Sequence, residues 1–285
     1  MDQKTEVPRV SVVIPTYQND LHYMKEAVVS ILNQSFQDFE ILFVDDGNTI
    51  ECLKYMQELA ESDQRVIVLQ GPRRGIAAAI NYGIAKARAP LIARMDADDI
   101  AVTDRFDIQV SYMLEHPEVD ILGSNLDFID AEGRRIPDKR WPLYENIEEI
   151  RKNAYTSSPM FHPTVMYRKA SIMQIGGYDP AFRMAEDYEL WLRALKKGLI
   201  LHNLKNVLLH YRYCQTEEEK RGREIWLWDF KVRWKNFVPT WECIYMSLTC
   251  YDKYLKNGIT KPLYVLLRWL LVVSKHLHAF LKRSY

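Results

Sequence analysis

The 285-residue chain is poor in the features that mark fibrous, disulfide-bonded or membrane-spanning proteins. Its four cysteines, Cys52, Cys214, Cys243 and Cys250, are widely spaced and form no C-x-x-C pair. That is the usage of a reduced, cytosolic protein with partly buried thiols. No stretch holds the ~18 uninterrupted apolar residues of a spanning helix. The nearest, residues 262–281, is broken by Arg268, Lys275, His276 and His278. The first nine residues are polar and charged, unlike a secretory leader. Its glycines make neither G-x-G-x-x-G nor a P-loop, so an ordinary dinucleotide or Walker-type site is not indicated. Net charge is zero, from 38 Lys+Arg and 38 Asp+Glu, which gives no global electrostatic case for nucleic acid. There is no internal repeat and no low-complexity linker.

What is present is core. Hydrophobic residues make up 48% of the chain, enough for one large α/β domain or a domain with an appendage. Charge is unevenly spread: residues 220–285 carry 13 Lys+Arg against 4 Asp+Glu, the other 219 residues 25 against 34. An acidic head suits a cation and a basic tail suits an anionic partner. Short apolar runs at 10–15, 39–44, 66–69 and 91–95 read as buried parallel strands. Helical spacing fills 21–33, 49–62 and 76–87 between them. This alternation predicts a doubly wound, mainly parallel sheet, with ligands at the carboxyl ends of the strands. The second half reads as strands at 119–123 and 126–129 around a turn, at 163–167 and at 207–213. A helix fills 187–197, and the chain is all-helical from about 217.

The strand ends carry the chemistry. Asp96, Asp98 and Asp99 place three carboxylates in four residues, which repel unless a cation or solvent separates them. Hard oxygen donors suit Mg2+ or Mn2+; the alternative is a solvated loop with Asp99 capping a helix. Asp45-Asp46-Gly47 ends a second strand, either as an acceptor for ribose or base hydrogen bonds or as an ordinary turn. Arg73, Arg74 and Gly75 open a small-residue helix, and arginine at a helix N-terminus favours phosphate. Asn81 on that helix faces either a ligand or the surface. Glu186 and Asp187 open a later helix, as a cap that suits its dipole or as a general base at a hydroxyl. His162 is structural or catalytic. Arg105 is expected as a buried partner of one of the acids.

Taken in order, these pieces resemble the inverting glycosyltransferases of family 2, which have the GT-A fold. The resemblance spans roughly residues 8–215. It rests on Val12-Val13-Ile14-Pro15-Thr16-Tyr17, Ser30-Ile31-Leu32-Asn33-Gln34-Ser35, Val44-Asp45-Asp46-Gly47 and Gly75-Ile76-Ala77-Ala78-Ala79-Ile80-Asn81. It continues in Met95-Asp96-Ala97-Asp98-Asp99 with Asp104-Arg105, Gly176-Gly177-Tyr178-Asp179 and Glu186-Asp187-Tyr188-Glu189-Leu190-Trp191-Leu192-Arg193. It implies a catalytic domain over residues 1–215; residues 216–285, outside the resemblance, are expected to form a helical extension. It implies a nucleotide pocket lined by Pro15, Thr16 and Tyr17, with Asp45, Asp46, Arg74, Asn81, Asp96 and Ala97. Asp98 is implied as ligand of Mn2+ or Mg2+, and Asp187, beside Glu186, as catalytic base. His162, Trp191 and Arg193 are expected toward the donor or acceptor sugar. A histidine that many members carry after a Tyr-Arg pair is absent: Tyr211-Arg212-Tyr213 is followed by Cys214, leaving His210 or water to complete a metal shell. The processive Gln-x-x-Arg-Trp signature is missing, so single-sugar addition is expected.

The implied partners are a UDP-sugar donor and a glycan or lipid-linked oligosaccharide acceptor, with no nucleic acid. In the tail, Trp226, Trp228, Trp234, Trp241 and Trp269 interleave with basic residues. That pattern suits either an anionic membrane surface or packing on the catalytic core. The expected location is cytoplasmic, peripheral on the inner face of the plasma membrane. The rivals are a sugar-phosphate nucleotidyltransferase, which needs a glycine-rich basic loop where Pro15-Thr16-Tyr17-Gln18-Asn19 has neither glycine nor cation, and an inactive scaffold.

Overall fold

The computed structural model describes residues 7–137, 139–214, 225, 228, 229 and 231–236. By internal contacts the chain divides into two units, Met1–Cys214 and Gln215–Tyr285. In the first, β1 (Val10–Thr16), α1 (Leu21–Leu32), β2 (Phe39–Asp45), α2 (Ile50–Ser62), β3 (Val66–Gln70), α3 (Ile76–Lys86) and β4 (Leu91–Arg94) alternate as the apolar runs require. Then follow β5 (Ile100–Ala101), α4 (Arg105–Glu115), β6 (Ile121–Ile129), α5 (Ile147–Asn153), β7 (Met166–Arg168), α6 (Lys169–Gln174), α7 (Glu186–Lys196) and β8 (Leu201–Arg212).

The central strands are apolar on both faces because both faces are covered. Val10, Val12 and Ile14 of β1 join Phe39, Ile41 and Phe43 of β2 in one core, against Met24, Val28 and Ile31 of α1 and Phe106 and Val110 of α4. The alternate residues Val13, Leu42 and Val44 join a second core with Ile80 and Ile84 of α3 and Leu190, Trp191 and Ala194 of α7. Side-chain alternation along a strand thus divides one apolar run between two layers. Local signals start the helices: the Asp20 carboxylate accepts from the His22 and Tyr23 N–H groups, and the Thr49 hydroxyl from Cys52, as caps should.

The eight-stranded sheet has the order β3-β2-β1-β4-β7-β6-β8-β5. Strand β1 is parallel to β2 and β4, β2 to β3, and β6 to β8, while β7 and β5 run antiparallel to their neighbours. The chain winds outward from β1 to β3 and then returns to the other side of β1. The crevice between the carboxyl ends of β1 and β4 is therefore the switch point where such sheets bind ligands.

Three expectations need correction. Residues 121–129 form one strand, whose register with β8 shifts around Asn125; a bulge gave the look of a turn. Residues 162–164 form a 3-10 turn before β7, because Pro163 lacks the N–H that a strand ladder needs. Asp99 caps no helix: it precedes β5, and α4 begins after Asp104. Within the second unit, residues 231–236 are helical, and Lys231 Nζ lies 4.1 Å from the Trp228 ring centre. Residues 263–281 of the basic tail, and Trp226, Trp241 and Trp269, lie outside the described residues. Among the described residues no helix is long and apolar enough to cross a membrane.

Candidate active site

Strand β4 ends in a buried cation followed by three acids. Arg94 is 2% exposed and clamps Asp96 with two bonds of 2.6 Å. Burial opposes the guanidinium charge, but Asp96 more than offsets it and holds Arg94 protonated. Carboxylate oxygens of Asp96, Asp98 and Asp99 lie within 4.8 Å of one another. Asp99 is fully buried; its Oδ1 accepts the Arg212 N–H at 2.9 Å, and its Oδ2 has no partner. Burial, then the charges of Asp98 and Asp96, push its proton affinity well above the carboxylate norm. The donor set fits a divalent cation: hard oxygens converge, one of them buried and unsatisfied.

Strand β8 anchors this loop. Arg212 Nε donates to the Asp98 carbonyl at 2.9 Å, and Nη2 pairs with Glu26 at 2.6 Å. His210 does not join the acids. It lies opposite Asp127 and Ile100 in the sheet, and the acid cluster contains only the three aspartates.

The first turn of α7 carries a second pair of acids, Glu186 and Asp187, on which the charge of Arg94 also acts. Burial, then the charge of Asp187, raises Glu186 to about 8. Burial also raises Asp187, while the N–H groups at Tyr188 and Asp187 and the Arg94 charge pull it back. Asp96 acts on both acids as a like charge. Neither acid caps α7, whose N-cap is Ala185 without a side-chain bond. His162 Nδ1 lies 3.9 Å from Glu186 Oε1, and Nε2 is 2.8 Å from the Tyr178 hydroxyl. Burial, then Arg94, pushes this imidazole well down, so it is neutral.

On the other side of β4, the ends of β1 and β2 build a rigid loop. Pro15 and Thr16 close β1; Thr16 is buried, its hydroxyl on the Val44 carbonyl, whereas Tyr17 is 62% exposed. Asp45 Oδ1 accepts from the backbone and side chain of Asn48 at 3.0 and 2.7 Å. Asp46 accepts the N–H groups of Arg73 and Gly75 at 2.6 and 2.9 Å. It thereby fixes the turn that presents Arg73 and Arg74, both exposed, at the start of α3. That start has no side-chain cap, so its N–H groups remain available to an anion.

Other expected residues hold the scaffold. Both amide ends of Asn81 bind the backbone of Tyr178, at 2.7 and 2.8 Å. Gly177 is required there: its φ is +67°, and a Cβ would meet Asn81 Oδ1 at 2.5 Å. Arg193, expected toward sugar, binds Glu189 at 2.7 Å and the Gly177 carbonyl at 2.6 Å. Trp191, expected likewise, is fully buried in the second core with its indole N–H unpartnered. Ala97 is buried beneath the acid loop. Arg105 is buried as expected, yet it donates to the Arg94 carbonyl at 2.9 Å and to Gln109. It reaches Asp99 only through its field.

Sequence reasoning missed Arg94, whose signal was a cation inside an apolar strand. It also missed Tyr178 and the buried role of Asp99.

The glycosyl transferase family 2 profile matches residues 11–176. The chain belongs to that family. Among family 2 relatives, the O-antigen biosynthesis glycosyltransferase WbnJ of Escherichia coli is 32% identical over 216 residues, covering 74% of this chain and 82% of WbnJ. A UDP-Gal:alpha-D-GlcNAc-diphosphoundecaprenol beta-1,3-galactosyltransferase of Escherichia coli is 29% identical over 223 residues, 76% of this chain and 78% of that protein. The fold is GT-A: a mannosyltransferase from Pyrobaculum calidifontis, solved with GDP-Man and Mn2+, superposes with a TM-score of 0.64 at 16% identity. The match covers 96% of this family 2 chain and 81% of that one.

Proposed function

We propose that this glycosyltransferase moves a sugar from a UDP-sugar to a hydroxyl of a lipid-linked glycan in surface-polysaccharide synthesis, with inversion. The observation that carries the reading is the gathering of the Asp96, Asp98 and Asp99 carboxylates within 4.8 Å of one another, with Asp96 clamped by Arg94, whose charge also acts on Glu186 and Asp187. The relatives' names, O-antigen biosynthesis and a UDP-Gal-dependent galactosyltransferase on a diphosphoundecaprenol acceptor, support the donor and acceptor class.

Asp98, with Asp96 and Asp99, would hold a divalent cation, which when bound supplies charge to the two donor phosphates. Asp45 and the exposed Tyr17 face the nucleotide, with Thr16 closing β1 behind them, and Arg74 with the uncapped start of α3 meets its phosphates. Asn81 serves by fixing the Gly177–Tyr178 turn. Asp187, which burial raises above the usual carboxylate range while two N–H groups and the Arg94 charge oppose that rise, accepts the proton of the acceptor hydroxyl as its oxygen attacks the anomeric carbon. The bond from that carbon to the diphosphate oxygen breaks, and the nucleoside diphosphate leaves with the electron pair. One displacement inverts the centre, so an α-linked donor gives a β-glycoside. Glu186, protonated at neutral pH by burial, keeps a second negative charge away from Asp187.

A panel of UDP-sugars, assayed for Mn2+-dependent hydrolysis and thermal stabilisation, tests this. One donor should respond and lose its response with EDTA. Indifference to every UDP-sugar, with binding of a nucleoside triphosphate instead, would favour the nucleotidyltransferase. Peripheral membrane attachment through the basic tail is a separate part of the proposal.

A further inference from the structure

We propose that Trp141 is the shelf on which a hexopyranose of the acceptor stacks. The indole is 39% exposed, yet three rings hold it. Phe128 lies perpendicular to it with centres 4.7 Å apart, Phe161 at 5.7 Å and Tyr211 at 5.6 Å. An aromatic ring fixed on its flanks and open to water is a ready-made surface for the C–H face of a pyranose.

Its place in the fold selects the occupant. Phe161 directly precedes His162, which lies beside Glu186. Tyr211 directly precedes Arg212, which holds Asp98 and Asp99. By either route two residues, Phe161 and His162 or Tyr211 and Arg212, link the shelf to an acid set. Phe128 and Tyr211 are register partners near the carboxyl ends of β6 and β8. The nucleotide-facing loops after β1 and β2 lie on the other side of β4 in the strand order. A ring on the β6–β8 side of the acids is placed for the molecule that brings the hydroxyl, rather than for the uracil. Arg140, exposed beside Trp141, suits the hydroxyl rim of a sugar.

This inference rests on the glycosyltransferase reading, and the test separates the two. Saturation-transfer NMR on the full chain uses methyl α-D-glucopyranoside, methyl α-D-galactopyranoside and methyl N-acetyl-α-D-glucosaminide as probes; UDP with Mn2+ is titrated in parallel. At least one pyranoside should receive saturation at the protons of one ring face. Trp141→Phe should retain the signal. Trp141→Ala should weaken it about fivefold or more and leave UDP affinity within about twofold. Equal pyranoside signals in wild type and Trp141→Ala would overturn the shelf. So would UDP binding with no signal from any pyranoside. Failure of wild type to bind UDP would remove the UDP-sugar reading on which the shelf rests, a result distinct from UDP binding without a pyranoside signal.

Discussion

Replacing Glu186 by Gln removes one titrating proton from a buried acid pair and leaves its shape nearly unchanged. Glu186 sits at about 8 rather than the usual 4.5, because burial and then Asp187 disfavour its charge. Its folded value lies above its unfolded one. The stability tied to its protonated form is therefore fully present below about 4.5 and is lost as pH rises through about 8. At about 1.4 kcal/mol per pH unit, the rise caps this linkage at about 5 kcal/mol; local relaxation and water entry reduce it to about half. For a domain of this size, about 1 kcal/mol moves the melting temperature by about 2–4 °C. Between pH 6 and pH 9 only the two units below about 8 contribute, about 1.4 kcal/mol after that reduction, so wild type in EDTA should melt about 3–5 °C lower at pH 9 than at pH 6, and Glu186→Gln should lose at least half of that difference. Activity gives a second reading: at pH 7 the group is about nine-tenths protonated, so Gln should keep transfer within about threefold of wild type. A variant with wild-type pH dependence of melting, or with transfer lost a hundredfold at pH 7, would refute a protonated Glu186.

Arg94→Met should keep the buried volume but strip Asp96 of its partner, lowering stability by about 2–3 kcal/mol in chemical unfolding and transfer by at least about a hundredfold. Gly177→Ala, forced to φ +67° against Asn81 Oδ1, should cost about 1–3 kcal/mol, read in the same assay. Asp98→Asn should abolish the Mn2+ dependence of UDP affinity in calorimetry while preserving the melting temperature within a few degrees; retained Mn2+ dependence would move the ion elsewhere.

The first half of the fold was legible because parallel strands covered on both faces leave unbroken apolar runs, as at Val10–Thr16 and Phe39–Asp45. Helix α4 was not, because its buried face mixes Arg105 and Gln109 with Phe106 and Val110 and so lacks a clean apolar stripe. The acids could be singled out because carboxylates at strand ends stand out locally. The cation that acts on both sets could not, since the charge of Arg94 reaches Asp187 only through tertiary folding. Trp191 and Arg193 were misdirected for a related reason. On α7, Trp191 follows Asp187 by four residues and shares its face, but that face continues inward, and the indole is core. Arg193 turns toward the Gly177 loop. Spacing identifies a face and leaves open which depth of it meets ligand.

The most direct measurement is transfer by Asp187→Asn, made beside its UDP affinity in Mn2+. The account predicts UDP binding within about twofold of wild type and transfer reduced by about 10²–10⁴-fold. Wild-type turnover in that variant would contradict the claim that Asp187 takes the acceptor's proton.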